Sequence, residues 1–348
     1  MPRARRDIPL PRLSPWMVSA VAGVVLVLWA VVAVSGVGFR GMVAGDGRLF
    51  LHVGQHPLGP MHGADDSLRY GRILFPALGW LIGLGRPADV AMGLVVVNIG
   101  ATALLAGGVA ALCEQSGGDP RGGFAALAIP IVWGIARFSY GDTLAAALVV
   151  LGAVAWLRRN PRLAWPMFAL AMLTRETMVF ALIPPVFVAL RRRDWRRLVL
   201  WGSAGVPLVL WWGYVRTKSG QWPPLAHTLQ RTLAVSPPFV GIAKAYGPRG
   251  YPVAATFAVV TIVVGVLTAI FLRRVNAAWP FALVFGGSAA LLGPNVFPGW
   301  GDTLRLLLPA HAFILPGLVN AVPAIKRRLR GDGGLPAAPT VHETLKIR

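Results

Sequence analysis

The side chains of this 348-residue chain that could do chemistry fall into four short stretches. The first, Gly45 to Arg72, holds Asp46, His52, His56, His62, Asp65, Asp66, Arg69 and Arg72. The second reads Arg137-Phe138-Ser139-Tyr140-Gly141-Asp142-Thr143 and the third Thr174-Arg175-Glu176-Thr177, while Arg305 stands in the fourth, shortly after Asp302. A positioned carboxylate can take a proton from a hydroxyl, and guanidinium forks match phosphate oxygens two at a time. Carboxylates are scarce here, 13 Asp and Glu against 34 Lys and Arg, so acidic residues grouped with arginines call for a reason beyond surface charge.

Composition sets the medium in which that chemistry would occur. With 55% hydrophobic and 14% charged residues and a mean hydropathy of +0.62, the chain has too few polar side chains to cover a soluble globule of its size. It reads as an all-α polytopic membrane protein. A net charge of +21 would point to nucleic acid in a soluble protein, but the basic residues form clusters between apolar runs, which is how membrane orientation is encoded. No nucleic-acid partner is expected. The single cysteine, Cys113, lies in an apolar run, which excludes an intrachain disulfide and reads as a small buried hydrophobe. Walker-type loops, nucleophile elbows and Rossmann fingerprints are absent from the sequence.

The elements that must position these residues follow from the apolar runs and the basic clusters. Residues 1–15 form a basic cytoplasmic N-terminus, and the run from Trp16 to about Gly38 is long enough to cross the membrane. Ile73 to Gly85, at about 1.5 Å per residue, is too short to cross and reads as an interfacial or re-entrant helix. Val90 to Cys113 returns the chain inward. About ten crossings are expected within residues 16–325, with outer loops at about 39–89, 216–250 and 294–304. Residues 326–348 form a cytoplasmic, Gly/Pro/Ala-rich tail of disordered character. Both termini then lie on the cytoplasmic side.

Two hairpins matter most. The segments between Arg121 and Arg158, and between Arg162 and Arg191, are bounded by basic clusters at both ends, so each crosses an even number of times. Two full spans and a turn need about 40 residues, so the hairpin tips should be recessed. Those tips carry Asp142 and Arg175-Glu176. Ionised groups at such depth are tolerated only inside protein or a wet cavity. Either Arg69, Arg72, Arg137, Arg175 and Arg305 line a phosphate-binding cavity, or Arg175 and Glu176 hold helices together. As sequence neighbours on a helix they do not face one another, so each then needs a partner elsewhere.

The order of these features resembles the GT-C superfamily of integral-membrane glycosyltransferases. Asp46-Gly47, the run Arg69-Tyr70-Gly71-Arg72-Ile73-Leu74-Phe75-Pro76-Ala77-Leu78 and Leu173-Thr174-Arg175-Glu176 are similar to bacterial members linked to cell-surface glycopolymer formation, over most of the chain up to about Arg197. The resemblance implies a GT-C-like helical fold and puts the catalytic base on Asp46. Members with a paired acidic motif carry two adjacent carboxylates, whereas here the adjacent pair is Asp65-Asp66, which stays open as the alternative. The outer acid of the first hairpin falls on Asp142, which joins Asp46 as a catalytic candidate, and Arg175 and Arg305 would contact the lipid phosphate. Asp65, Asp66, Arg69, Arg72, Glu176 and His52 join those two arginines as substrate-binding candidates.

The expected activity is transfer of a sugar from a polyprenyl-phosphate-linked donor to a cell-envelope glycan or other acceptor on the outer membrane face. No cofactor is expected. A metal at His52, His56 and His62 has little support, because Gly54, Pro57, Gly59 and Pro60 argue against one continuous helix through them. The rival readings are a flippase for a lipid-linked saccharide and a non-catalytic subunit of an envelope-assembly complex, and the sequence lacks the inverted repeats that would favour transport.

The topology is directly testable. In intact cells, introduced cysteines near His62 and Thr228 should react with an impermeant maleimide, while those near Asn160 and Asp194 should not. Labelling at Asn160 from outside would overturn the hairpin assignment.

Overall fold

The computed structural model describes residues 13–45, 47–61, 67, 69–129, 132–133, 140–223, 238–247, 251–272, 278–292 and 300–329. Among them every regular element is helical. The helices are α1 (Pro15–Gly41), α2 (Gly47–Gln55), α3 (Leu74–Ile82), α4 (Val90–Gln115), α5 (Asp142–Leu157), α6 (Pro161–Thr174), α7 (Ile183–Arg191), α8 (Trp195–Ser203), α9 (Val206–Ser219), α10 (Val240–Ala245), α11 (Pro252–Leu272), α12 (Trp279–Ser288) and α13 (Trp300–Leu329). Short 3₁₀ turns lie at Pro120–Ala128, Glu176–Leu182 and Ala289–Leu291.

Four segments are long and apolar enough to cross a membrane alone: Pro15–Gly41, Val90–Gln115, Trp195–Ser219 and Pro252–Ile270. Shorter apolar helices at Asp142–Leu157, Trp279–Leu291 and Thr303–Val319 accompany them. Among the described residues the apolar helices thus divide into four full-length spans and three shorter ones, against about ten crossings expected. The hairpin limbs α5 and α6, 16 and 14 residues long, are among the short ones, as the spacing of the basic clusters required.

Helix α4 is the axis of the bundle, buried from Val90 to Cys113 along most of its length. Helix α1 touches it through Val18, Ala22, Leu26 and Ala30, a stripe at intervals of four, and turns Val24, Leu28, Val31 and Val32 outward, as a lipid-facing span should. The Ser19 hydroxyl donates to the Ala103 carbonyl at 2.9 Å, closing the contact. α1 breaks at Gly38, whose φ of 68° only glycine adopts readily, and this sends the chain into the acidic loop.

α3 has nine residues, too few to cross, and packs on the start of α4 where Gly79 meets Gly93. A methyl group at Gly93 would collide with the Gly79 carbonyl oxygen. Such small-residue crossings let backbones approach closely in lipid, where packing rather than hydrophobic burial drives association. Deeper in the bundle an aromatic cluster joins α5, α6, α12 and α13: Phe281 stacks on Phe313 at 5.1 Å, Phe285 on Phe313 at 5.7 Å, and Trp156 meets Phe281 edge-on at 5.6 Å.

The Gly79–Gly93 crossing holds α3, and through it the chain leading from Arg72, against the bundle. Gly93→Ala should destabilise the protein by about 1–3 kcal/mol, since the obstacle is backbone that cannot swing away. Thermal unfolding in detergent measures this, with Gly100→Ala, which meets open space, as the control expected to be near neutral.

Candidate active site

One end of the bundle gathers the tips on which the polar residues were predicted. Asp142 opens α5, and the preceding residue, Gly141, is wedged so tightly that a β-carbon there would meet Phe75 Cβ at 3.0 Å and Thr174 Cγ2 at 3.3 Å. That wedge brings the Arg72–Leu78 run, the first hairpin tip and the second hairpin tip together. α6 ends where Arg175 turns extended, with φ −156° and ψ 122°, so its side chain leaves the helix axis.

Asp142 is buried between two guanidinium groups. Arg305 Nε donates to its Oδ2 at 2.8 Å, and Arg175 Nη1 pairs with its Oδ1. Arg175 and Arg305 are themselves buried. The Arg305 guanidinium also lies 4.0 Å from the centroid of the Tyr140 ring, an arrangement in which the ring face attracts the cation. Beside this triad, Arg72 grips Glu176 with two bonds, Nε to Oε2 at 2.8 Å and Nη2 to Oε1 at 2.5 Å. Arg175 and Glu176 thus each take a separate partner, as neighbouring residues must. Glu176 opens the 3₁₀ turn that follows α6, and both of its carboxylate oxygens are taken by Arg72.

Among the described residues the network joins three arginines to two carboxylates in a largely buried setting. Each oxygen of Asp142 already faces a guanidinium, the geometry of a counter-ion that sets two cations rather than of a free base. The hydroxyls of Thr143 and Thr177 are buried and make no hydrogen bond among the described residues, leaving two further donors at the same tips. Thr177 also lines a small pocket of about 30 Å³ with Met178, Phe180, Phe285, Ser288, Leu291, Leu292 and Leu306. That is room for a water, not for a lipid tail.

Asp46, Asp65, Asp66, His62 and Arg137 lie outside the described residues. The chain next to Asp46 is nonetheless fixed: a β-carbon on Gly45 would lie 2.5 Å from the Tyr140 hydroxyl, so the Gly45 backbone touches the residue on which Arg305 rests. His52 lies on α2. It is exposed, and its ring meets that of His56 edge-on at 5.7 Å. The prolines and glycines around it do not prevent a local helix, since α2 runs through His52 to Gln55 and the His56 amide still bonds the His52 carbonyl at 3.2 Å. No cluster of three or more metal-ligating side chains occurs among the described residues. Arg69 is half-buried, three residues before Arg72.

Sequence reasoning assigned no role to Tyr140, Tyr70 or Trp211. Tyr70 is fully buried, donates from its hydroxyl to the His56 carbonyl at 2.8 Å, and accepts at its own carbonyl from Trp211 Nε1 at 2.6 Å. The Ser67 hydroxyl reaches the Gln221 carbonyl at 3.2 Å. These bonds anchor the early loop to α9. The signal for Tyr140 was its place in the hairpin tip two residues before Asp142, whereas nothing in the sequence spacing pointed to Trp211.

No family model matches the sequence, and no curated protein does. Among solved structures, ArnT from Cupriavidus metallidurans in the apo state superposes with a TM-score of 0.53 over 90% of this chain, at 16% sequence identity. The fold is that of ArnT. The chain spans 63% of the length of ArnT. At this identity the likeness speaks for architecture, and the all-helical fold read from the sequence is thereby observed.

Removing one member of a buried ion pair strands the other. Asp142→Asn should therefore destabilise the protein by about 3–5 kcal/mol. Combining it with Arg305→Met should recover part of that loss, a coupling that a double-mutant cycle of unfolding midpoints would read. Additive losses would show that the two side chains do not depend on each other.

Proposed function

We propose that this protein is a membrane glycosyltransferase of the GT-C type that moves a sugar from a polyprenyl-phosphate-linked donor to a cell-envelope acceptor at the outer face of a bacterial cytoplasmic membrane. The observation that carries the reading is the buried Arg175–Asp142–Arg305 triad at one end of an ArnT-like fold. The basic clusters around Arg158 and Arg191 lie at the other ends of α5 and α7, and by the charge rule this supports an outward-facing triad.

In this reading Arg175 and Arg305 hold the donor phosphate, with Asp142 orienting both. Arg72 and Glu176 brace the second tip. Asp46, one residue beyond the Gly45 backbone that touches Tyr140, serves as the general base, with Asp65 and Asp66 as the alternative bases. An acceptor hydroxyl oxygen attacks the anomeric carbon of the sugar, and the bond from that carbon to the phosphate oxygen breaks. The hydroxyl proton passes to the Asp46 carboxylate, and polyprenyl phosphate departs as an anion stabilised by the two guanidinium groups. No metal is required by this scheme.

Asp46→Asn separates this reading from a flippase. The change is nearly isosteric and removes only the proton acceptor, so transfer of radiolabelled sugar by the purified protein should fall about 10²- to 10⁴-fold while donor affinity stays close to wild type. A carrier would show binding and flux changing together. Transfer at the wild-type rate would move the base to Asp65 or Asp66.

A further inference from the structure

The far end of the bundle contains a structural repetition that the proposed activity does not use. α5 and α7 finish in the same way. After α5, the Asn160 amide bonds the Ala155 carbonyl at 2.9 Å and the Arg159 amide bonds the Trp156 carbonyl at 2.9 Å. After α7, the Asp194 amide bonds the Ala189 carbonyl at 3.0 Å and the Arg193 amide bonds the Leu190 carbonyl at 3.0 Å. Each turn then starts the next helix with an N-cap, Asn160 accepting from the Leu163 amide at 3.2 Å and Asp194 from the Arg197 amide at 3.0 Å. These are Schellman closures, whose penultimate residue must be left-handed and is usually glycine.

Here it is arginine both times. Arg159 has φ 57° and Arg193 φ 53°, a conformation unfavourable for any residue with a β-carbon. The end of α4 provides an internal comparison, because it closes with the same bond pattern, Gly118 to Cys113 and Gly117 to Glu114, and uses Gly117 at φ 72°. At the site end of the bundle Leu84 occupies the equivalent position with φ 53° and points outward, 79% exposed. Side chains retained in this backbone position face the surroundings. A strained position filled twice by the same cation points to a use for the cation.

The two turns are superposable in chemistry as well as in backbone. Arg158, Arg159 and Arg162 on the first correspond to Arg192, Arg193 and Arg196 on the second, and all six are exposed. α6 is tied to α8 by the Trp165 Nε1 bond to the Ser203 hydroxyl at 3.0 Å and by Phe168 against Trp201, so the two turns belong to one packed unit. Trp195, 67% exposed, follows the second turn, where an indole would sit at a membrane interface.

We propose that these twin arginine turns form a headgroup-binding surface for anionic phospholipid in the leaflet opposite the candidate active site. The occupant follows from charge complementarity and place. Stretches 158–162 and 191–197 contain eight arginines, faced by Glu114 at Arg158 (3.9 Å) and by Asp194 at Arg197 (3.2 Å), a surplus of cations next to lipid-facing helices, where the phosphodiester of a lipid is the abundant anion. Paired forks at fixed spacing select a charged headgroup over a zwitterionic one.

The test compares phosphatidylglycerol with phosphatidylcholine added at equal concentration to the purified full-length protein in detergent, reading retained lipid by native mass spectrometry and the melting temperature in parallel. The wild type should retain phosphatidylglycerol preferentially and melt higher in its presence. Arg159→Gly combined with Arg193→Gly relieves the backbone while removing two cations, so its melting temperature in detergent alone should be equal or higher, and its phosphatidylglycerol affinity about thirtyfold weaker. Lipid held instead by Arg175 and Arg305 would be unaffected by that variant. Arg162→Gln with Arg196→Gln leaves the turns untouched and should weaken retention similarly, which keeps the test open should the glycine variant fail to fold. Equal retention of both lipids by the wild type, or undiminished phosphatidylglycerol binding in both variants, overturns the proposal.

Discussion

The interaction on which the rest of this molecule depends is the contact of one buried carboxylate with two buried guanidinium groups. Asp142 begins α5, Arg175 ends α6 and Arg305 lies near the start of α13, so a single acid fixes three helix ends at one depth. In an apolar surrounding none of these groups can be left bare, because desolvating an ion is repaid only by close, well-directed partners. The helices must stop where they do for the charges to meet. The short hairpin limbs, which would look like defective spans in isolation, are a consequence of that requirement.

The ion pairs then limit the chemistry. Arg72 is matched one to one by Glu176, whereas Asp142 is shared by two cations among the described residues. Two guanidinium groups aimed at one acid make that acid a poor proton acceptor. Asp46 is the chain neighbour of the backbone beneath Tyr140. Tyr140 connects both halves: its ring supports Arg305, and its hydroxyl touches Gly45.

Much of this was legible in the sequence because membranes penalise misplaced polarity. The lengths between basic clusters located the recessed tips, and the tips named Asp142, Arg175 and Glu176. The partners were not legible. Arg305 and Asp142 are 163 residues apart and Arg72 and Glu176 are 104 apart, separations at which no periodicity relates one residue to the other. The structure gives Arg175 and Glu176 each an ionic partner, so the helix-holding role is observed and leaves the phosphate reading standing beside it. The nine-residue helix through His52 escaped notice because Gly54 and the following prolines suggested interruption, whereas proline after a helix simply ends it. The anchoring of the early loop by Tyr70 and Trp211 escaped it as well, since a hydrogen bond from an indole to a distant backbone carbonyl leaves no mark in spacing.

Helix holding and phosphate binding are not competing roles for the triad. An arginine pair built only for an anionic substrate would, when empty, leave two like charges facing each other in a low-dielectric setting, where repulsion is strongest. Asp142 removes that difficulty by supplying negative charge while the site waits. In the proposed reading, a phosphate would meet guanidinium groups whose positions the carboxylate already sets. The carboxylate therefore holds the cations at a spacing set by the protein rather than by the ligand, and the helix ends do not have to rearrange when the anion enters or leaves.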